Sequence, residues 1–237
     1  EKIATIINVD RDQAAKYLFF TTRNGIVKRT STSQFSNIRT NGLKALKLRD
    51  GDELINVLRT SGEDEVIIGT HLGYSVRFKG AIVRDMGRAA AGVKGVNLRE
   101  GDFVVGTSRI DDSQEVLVIS ENGLGKRTQA SEYPTKGRGG KGMKVMNVTE
   151  RTGKLAGLTA VNGDEDLMVI TDTGVIIRTN VANISQTGRA AQGVKVMRLD
   201  DEAQIVTFAL VDPVIEEEET DSPEVTDEAL STDTNEE

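Results

Sequence analysis

Apolar residues in this 237-residue chain come in short runs that recur at a regular interval. Tyr17-Leu18-Phe19-Phe20, Val66-Ile67-Ile68, Val116-Leu117-Val118-Ile119 and Leu167-Met168-Val169-Ile170 are aromatic or largely β-branched, which suits strands better than helices. Each run leads into a glycine turn and a return segment. These segments read Asn24-Gly25-Ile26-Val27-Lys28-Arg29-Thr30, Leu72-Gly73-Tyr74-Ser75-Val76-Arg77-Phe78, Asn122-Gly123-Leu124-Gly125-Lys126-Arg127-Thr128 and Thr173-Gly174-Val175-Ile176-Ile177-Arg178-Thr179. The turn glycines step by 48, 50 and 51 residues. Asn-Gly supplies the positive φ of a tight hairpin. No stretch carries a convincing helical stripe of period 3.6.

A second glycine trails each first one, at 42, 92, 142 and 193, and a looser period-two stretch follows it. There Leu46 and Leu48, Val96 and Leu98, Met146 and Val148, and Val196 and Leu199 alternate with polar neighbours, as a strand with one wet face does. Turns such as Arg49-Asp50-Gly51-Asp52 and Arg99-Glu100-Gly101-Asp102 precede a last apolar run in each repeat: Leu54–Val57, Phe103–Val105, Leu155–Leu158 and Ile205–Phe208. About four strands per ~50 residues is the period of a propeller-like blade. The predicted fold is all-β, with four blades of about four antiparallel strands at residues 1–57, 58–110, 111–160 and 161–211. From Asp212 to Glu237 apolar residues thin out. Such a segment cannot bury enough surface to offset its ordering entropy, and the expectation is a disordered acidic tail.

Charge changes the picture. The formal net charge is −7, yet 12 of the 37 acidic residues lie in 212–237, where there is no basic one. With 30 basic residues against the remaining acids, residues 1–211 carry +5. A cationic body with an anionic tail points to a polyanionic partner or to an acidic interaction segment. The tail is expected to compete with that partner for the body. The chain has no cysteine, which excludes a disulfide scaffold and thiolate metal sites and fits a reducing cytosol. No apolar run approaches the ~20 residues of a membrane helix, so no membrane partner is expected. The chain starts at Glu1 without an initiator methionine, on a strand-like Ile3–Ile7; the expectation is a piece of a longer polypeptide.

The polar residues that recur are cations. Arg39, Arg88, Arg138 and Arg189 precede the second glycine, and Lys44, Lys94, Lys144 and Lys195 follow it by two positions. The third repeat expands the segment to Lys136-Gly137-Arg138-Gly139-Gly140-Lys141-Gly142-Met143-Lys144. Glycine removes side-chain bulk, so a phosphate can approach the peptide N–H groups while Arg and Lys supply charge. Repeated in every blade, such loops would line one rim with cations and hold duplex DNA without reading its sequence. With 4% aromatic residues there is no stacking platform for single strands.

Arg29, Arg77, Arg127 and Arg178 recur four residues after the turn glycines. They fit either DNA contact or pairing with acids of a neighbouring blade. Lys28 and Lys79 read as ordinary exposed lysines. Catalytic chemistry has few candidates. His71 is the only histidine and reads as a surface or packing residue, as Tyr17, Tyr74 and Tyr133 read as packing residues. The segment 137–142 lacks the spacing and the Ser/Thr of a nucleotide-binding loop.

Asn122–Thr128, Glu132-Tyr133-Pro134-Thr135-Lys136, Val148-Thr149-Glu150-Arg151, Asp50–Ile55 and Thr60–Val66 together resemble the C-terminal domains of bacterial DNA gyrase A proteins, and the likeness runs through residues 1–211. The resemblance implies a β-pinwheel whose blades share strands with their neighbours and whose cationic rim wraps DNA in support of ATP-dependent negative supercoiling. It also implies a bacterial, cytoplasmic, nucleoid-associated protein and an A2B2 assembly with the rest of the gyrase A polypeptide and with gyrase B. No cofactor is implied for this chain. The active-site tyrosine, and the ATPase that uses ATP and Mg2+, would lie outside it. The family's box, Gln-Arg-Arg-Gly-Gly-Lys-Gly, normally lies in the first blade. Its nearest match here, Lys136–Gly142, keeps the last five positions but sits in the third repeat. The corresponding C-terminal domain of topoisomerase IV, which positions DNA without strong wrapping, and a propeller serving purely as a protein-interaction platform are the alternatives.

Overall fold

A computed structural model describes residues 15–36, 42–200 and 203–213. The first repeat contains β1 (Tyr17–Thr22), β2 (Ile26–Ser31) and β3 (Leu54–Thr60). The second contains β4 (Glu65–Thr70), β5 (Tyr74–Lys79), β6 (Val93–Lys94) and β7 (Val104–Ile110). The third has β8 (Glu115–Ser120), β9 (Leu124–Gln129), β10 (Met143–Lys144) and β11 (Leu155–Val161), and the fourth β12 (Asp166–Thr171), β13 (Ile176–Asn180), β14 (Val194–Lys195) and β15 (Ile205–Val211). The structure is all-β, with one antiparallel sheet per blade and short 3-10 turns after each hairpin. The tail beyond residue 213 and Arg39 lie outside the described residues.

The apolar runs of the first three repeats are continuous because the first strand of each of those blades is covered on both faces, whereas burial alternates along β12. Phe19 joins a cluster with Val66, Ile68, Phe78 and Val104 of the second blade. Its neighbours Leu18 and Phe20 pack the other way, on Val57, Phe35 and Ala45. Ile67 with Val116 and Val118, and Leu117 and Ile119 with Leu167 and Val169, repeat this between later blades. The core therefore lies between blades rather than within them.

Sheet order departs from chain order. The first sheet runs β3-β1-β2-β6, the second β7-β4-β5-β10 and the third β11-β8-β9-β14. The outermost strand of each comes from the following repeat, with Ile26 opposite Lys94, Tyr74 opposite Lys144 and Leu124 opposite Lys195. The stretch after the second glycine is thus a strand for only two residues, and it belongs to the preceding blade. Backbone geometry explains the glycine: a Cβ on Gly142 would lie 2.6 Å from the Ser75 carbonyl oxygen, and its φ is +77°. Among the described residues β13 pairs with β12 alone, and Ile176 is left 54% exposed.

At the hub, β3, β7, β11 and β15 form the inner edges, and each packs on the next. Gly106 makes this possible in the second blade, since a Cβ there would lie 2.2 Å from the Leu158 carbonyl oxygen. Hairpin turns clasp successive blades. The Arg23, His71 and Glu121 carbonyls accept from the N–H groups of Val104, Leu155 and Ile205 at 2.9, 2.9 and 2.8 Å. His71 is buried and stacks on Phe103 with centroids 4.2 Å apart, so it packs the clasp. Asp102 of the Arg-Glu-Gly-Asp turn accepts from the Leu72 and Phe103 N–H groups, both at 2.9 Å. That recurring acidic turn is architectural.

Candidate nucleic-acid interface

Strand exchange decides where the recurrent lysines go. Lys94, Lys144 and Lys195 each end a donated strand, in the same register beside the preceding blade's hairpin turn, and all three are exposed. Because the donated strand is the sheet's outer edge, the three ammonium groups fall on equivalent points of the periphery. Lys44 is also exposed, in a segment that pairs with no strand among the described residues.

The loop arginines sit just before these strands. Arg138 is exposed and donates from Nη1 to the Lys94 carbonyl at 3.1 Å. The Gly139 N–H bonds the Gly95 carbonyl at 2.6 Å, and the Asn97 N–H bonds the Gly140 carbonyl at 2.8 Å. The box-like segment of the third repeat therefore rests on residues 94–97 of the second, which joins Lys94, Lys136, Arg138, Lys141 and Lys144 into one exposed cationic strip. Gly137 has open space where a Cβ would stand, as a loop that admits a bulky anion requires. Arg88 and Arg189 are half-buried, and Arg189 also approaches Glu132 at 4.0 Å.

The arginines of the return strands have a different environment. Arg77 is 6% exposed; it bonds Glu65 from Nε at 2.7 Å, the Ala130 carbonyl from Nη1 at 2.8 Å and Asp112 from Nη2 at 2.8 Å. Arg127 bonds Glu115 and the Ile184 carbonyl, both at 2.7 Å. Arg178 bonds Asp166 at 2.8 Å and the Asp212 carbonyl at 2.7 Å. Arg29 lies over the Tyr17 ring at 4.4 Å. Of the two roles open to them, these contacts support the architectural one for Arg77 and Arg127: the Arg77 guanidinium is buried, that of Arg127 half-buried, and both are engaged with carboxylates and carbonyls. Arg178 makes the same kind of internal contact from an exposed position, whereas half-buried Arg29 adds to its ring contact only a 3.4 Å bond from Nη1 to the Gly62 carbonyl.

Lys28 requires a correction of another kind. It is 1% exposed, and Lys126, its counterpart in the third repeat, is 0% exposed. Lys28 Nζ donates to the Ala45 and Arg88 carbonyls, and Lys126 Nζ to those of Gly188 and Arg189 at 2.6 and 2.5 Å. A signal was available: the same place in repeats two and four is Val76 and Ile177, so the position faces inward. Burial, reinforced by the Arg88 charge, lowers Lys28 from 10.5 to about 8. Burial likewise lowers Lys126 to about 8, with Glu132 opposing and Arg189 adding to the effect.

Folded lysines thus release protons near pH 8, whereas unfolded ones hold them to 10.5. Over that window the unfolded state binds more protons, so stability rises with pH. Tyr133, raised above 10.0 chiefly by burial, acts oppositely: the unfolded phenol ionises first, and stability falls once pH passes 10. Urea midpoints are expected to climb from pH 8 to near 10 and then turn down. The double variant Lys28→Met, Lys126→Met should flatten the climb, and an unchanged slope would show that the two ammonium groups titrate normally.

Comparison with known proteins matches this geometry. The family described as "DNA gyrase C-terminal domain, beta-propeller" matches four times, over residues 16–61, 64–111, 114–162 and 165–212. The chain belongs to this family. The DNA gyrase A protein of Streptococcus pyogenes serotype M3 is 72% identical over 214 residues, covering 90% of this chain and 26% of that protein. Its counterpart in Halalkalibacterium halodurans is 57% identical, with 96% of this chain and 27% of that protein covered. The chain spans about a quarter of the length of these curated relatives. Among solved structures, a C-terminal domain of DNA topoisomerase IV superposes with a TM-score of 0.80 at 25% identity, over 86% of this chain and 64% of that one. A DNA gyrase A C-terminal domain gives 0.74 at 26% identity, over 85% and 68%. The family's β-pinwheel has four blades in this chain, with Lys94, Lys144 and Lys195 on the exchanged strands. Among the described residues no group of three or more His, Asp or Glu side chains is placed to hold a metal ion.

Proposed function

We propose that this chain binds duplex DNA along the outer edge of the pinwheel and wraps it, without sequence preference, in support of ATP-dependent negative supercoiling by a whole gyrase. One observation carries the proposal: Lys94, Lys144 and Lys195 occupy the same register on successive donated strands. A polyanion laid along that edge meets a cation at each of the three blades that receive a donated strand, and the strip from Lys136 to Lys144 adds charge beside the second. Curving a duplex over a few tens of base pairs costs several kcal/mol. A repeated row of phosphate contacts offsets this without base readout, as in other wrapping proteins. In the whole enzyme the rest of the gyrase A polypeptide, paired with gyrase B as A2B2 in the bacterial cytoplasm, would supply the active-site tyrosine, the ATPase and the use of ATP and Mg2+.

Anisotropy of a labelled linear duplex titrated with the chain at several salt concentrations tests the reading. The expected plot of log K against log salt is linear, with a slope near −0.9 per phosphate neutralised. Duplexes of scrambled sequence should bind alike. Binding indifferent to salt, or confined to one sequence, would overturn it.

A further inference from the structure

The two buried lysines do not fill space that only lysine can fill, because Val76 and Ile177 occupy the same position in the second and fourth blades. Taking an ammonium out of water is expensive, and an apolar replacement of similar volume is often neutral or stabilising. Among the described residues neither lysine has a carboxylate within ion-pair distance. What Lys126 has instead is main chain from the next repeat, and Lys28 has one such carbonyl beside that of Ala45 in its own repeat. Lys28 reaches 60 residues along the chain to the Arg88 carbonyl, and Lys126 reaches 62 and 63 residues to those of Gly188 and Arg189. Ala45 apart, the peptide groups they hold belong to the loops that carry the recurrent arginines.

We infer that Lys28 and Lys126 are positioning residues: their buried ammonium groups clamp the backbone of the Arg88 and Arg189 loops so that those two side chains are presented to DNA at the pinwheel's edge. This rests on the DNA-binding reading above. An ammonium suits the task, since it can donate to two carbonyls at once, and a charged donor makes a shorter and stronger bond than a neutral one. The third repeat shows what happens without the clamp. Opposite its loop stands Val76, and the Arg138 segment is held by its neighbour, through Arg138 to the Lys94 carbonyl and Gly139 to the Gly95 carbonyl. The Arg88 and Arg189 loops are pinned from beneath; the loop between them leans sideways on the repeat before it. The edge is therefore fixed by two alternating devices.

The test is a double-mutant cycle in the full chain, using Lys126→Met, Arg189→Met and the pair, with linear duplex as the probe. Lys126→Met keeps the volume and removes the donors. Its expected effect is a three- to ten-fold loss of duplex affinity and a salt slope shallower by about 1, with the thermal midpoint held or raised. The pair should bind no more weakly than Arg189→Met alone, because the lysine acts through that arginine. Additive losses, or wild-type affinity in Lys126→Met, would overturn the inference. Hydrogen exchange of the amides at 186–193 without DNA supplies a readout independent of binding: protection falls in Lys126→Met if the clamp exists and stays put if it does not. Loss of protection together with salt-insensitive DNA binding in the parent chain would instead sink the DNA reading and leave the clamp standing. Should Lys126→Met fail to fold, Lys126→Ile, the residue the fourth repeat uses, and the independent pair Lys28→Met with Arg88→Met carry the same cycle.

Discussion

Replacing Arg77 with leucine is expected to lower the unfolding free energy by about 3 kcal/mol or more while leaving the duplex affinity of the folded protein unchanged. Arg77 is joined to two carboxylates and to the Ala130 and Tyr133 carbonyls of the following repeat. The loss comes mainly from Glu65. Its side chain is 20% exposed and, without the guanidinium, keeps only the Thr135 hydroxyl at 2.9 Å. Asp112 contributes little, since its side chain is 76% exposed and water replaces the lost partner. Breaking a buried pair from one side costs more than the pair itself contributes, because a charge is left behind. Urea denaturation beside anisotropy separates the two roles. A stable variant with weakened DNA binding would return Arg77 to the set of phosphate contacts.

Converting Arg138, Lys141 and Lys144 together to glutamine should do the opposite. All three are exposed, and exposed substitutions usually move stability by less than ~0.5 kcal/mol each. Their removal takes three cations from one strip, so the log–log salt slope should become shallower by about 3 and affinity should drop by one to two orders of magnitude at low salt. The backbone bonds that seat the segment, Gly139 to Gly95 and Asn97 to Gly140, do not involve the altered side chains. Arg138 does give up its bond to the Lys94 carbonyl. Arg99 donates to the carbonyl of Lys141 rather than to its side chain, so that contact survives as well. A collapse of the thermal midpoint instead would mark these residues as architectural.

The hairpins and their repeat were legible in the sequence because their cause is local. Runs such as Ile67-Ile68 are apolar since both faces of β4 are covered, and the turn glycines need positive φ whatever the rest of the chain does. Strand exchange was not legible from the residues, although the family resemblance implied it. Val93-Lys94 carries the pattern of a strand but nothing that names β2 rather than β5 as its neighbour. The second glycines show the same limit. Read as openings for phosphate, Gly92, Gly142 and Gly193 prove to be demanded by the carbonyls of Val27, Ser75 and Gly125, 2.4–2.6 Å from a Cβ. Gly42, Gly87 and Gly137 keep the open space the reading required of them all. Lys28 was misjudged for a related reason: lysine in isolation signals solvent, and only its alignment with Val76 and Ile177 shows that it turns inward.

The donated edge strands also give the molecule a direction of failure. Each of the first three blades is completed by residues that lie downstream of it, so loosening one repeat strips the outer strand from its predecessor and leaves its successor's sheet whole. Damage at β10, for instance, uncovers β5, whose bare backbone would then be open to pairing with another chain. Injury should therefore spread upstream through the array, and tension applied at one repeat passes by main-chain hydrogen bonds to the repeat before it.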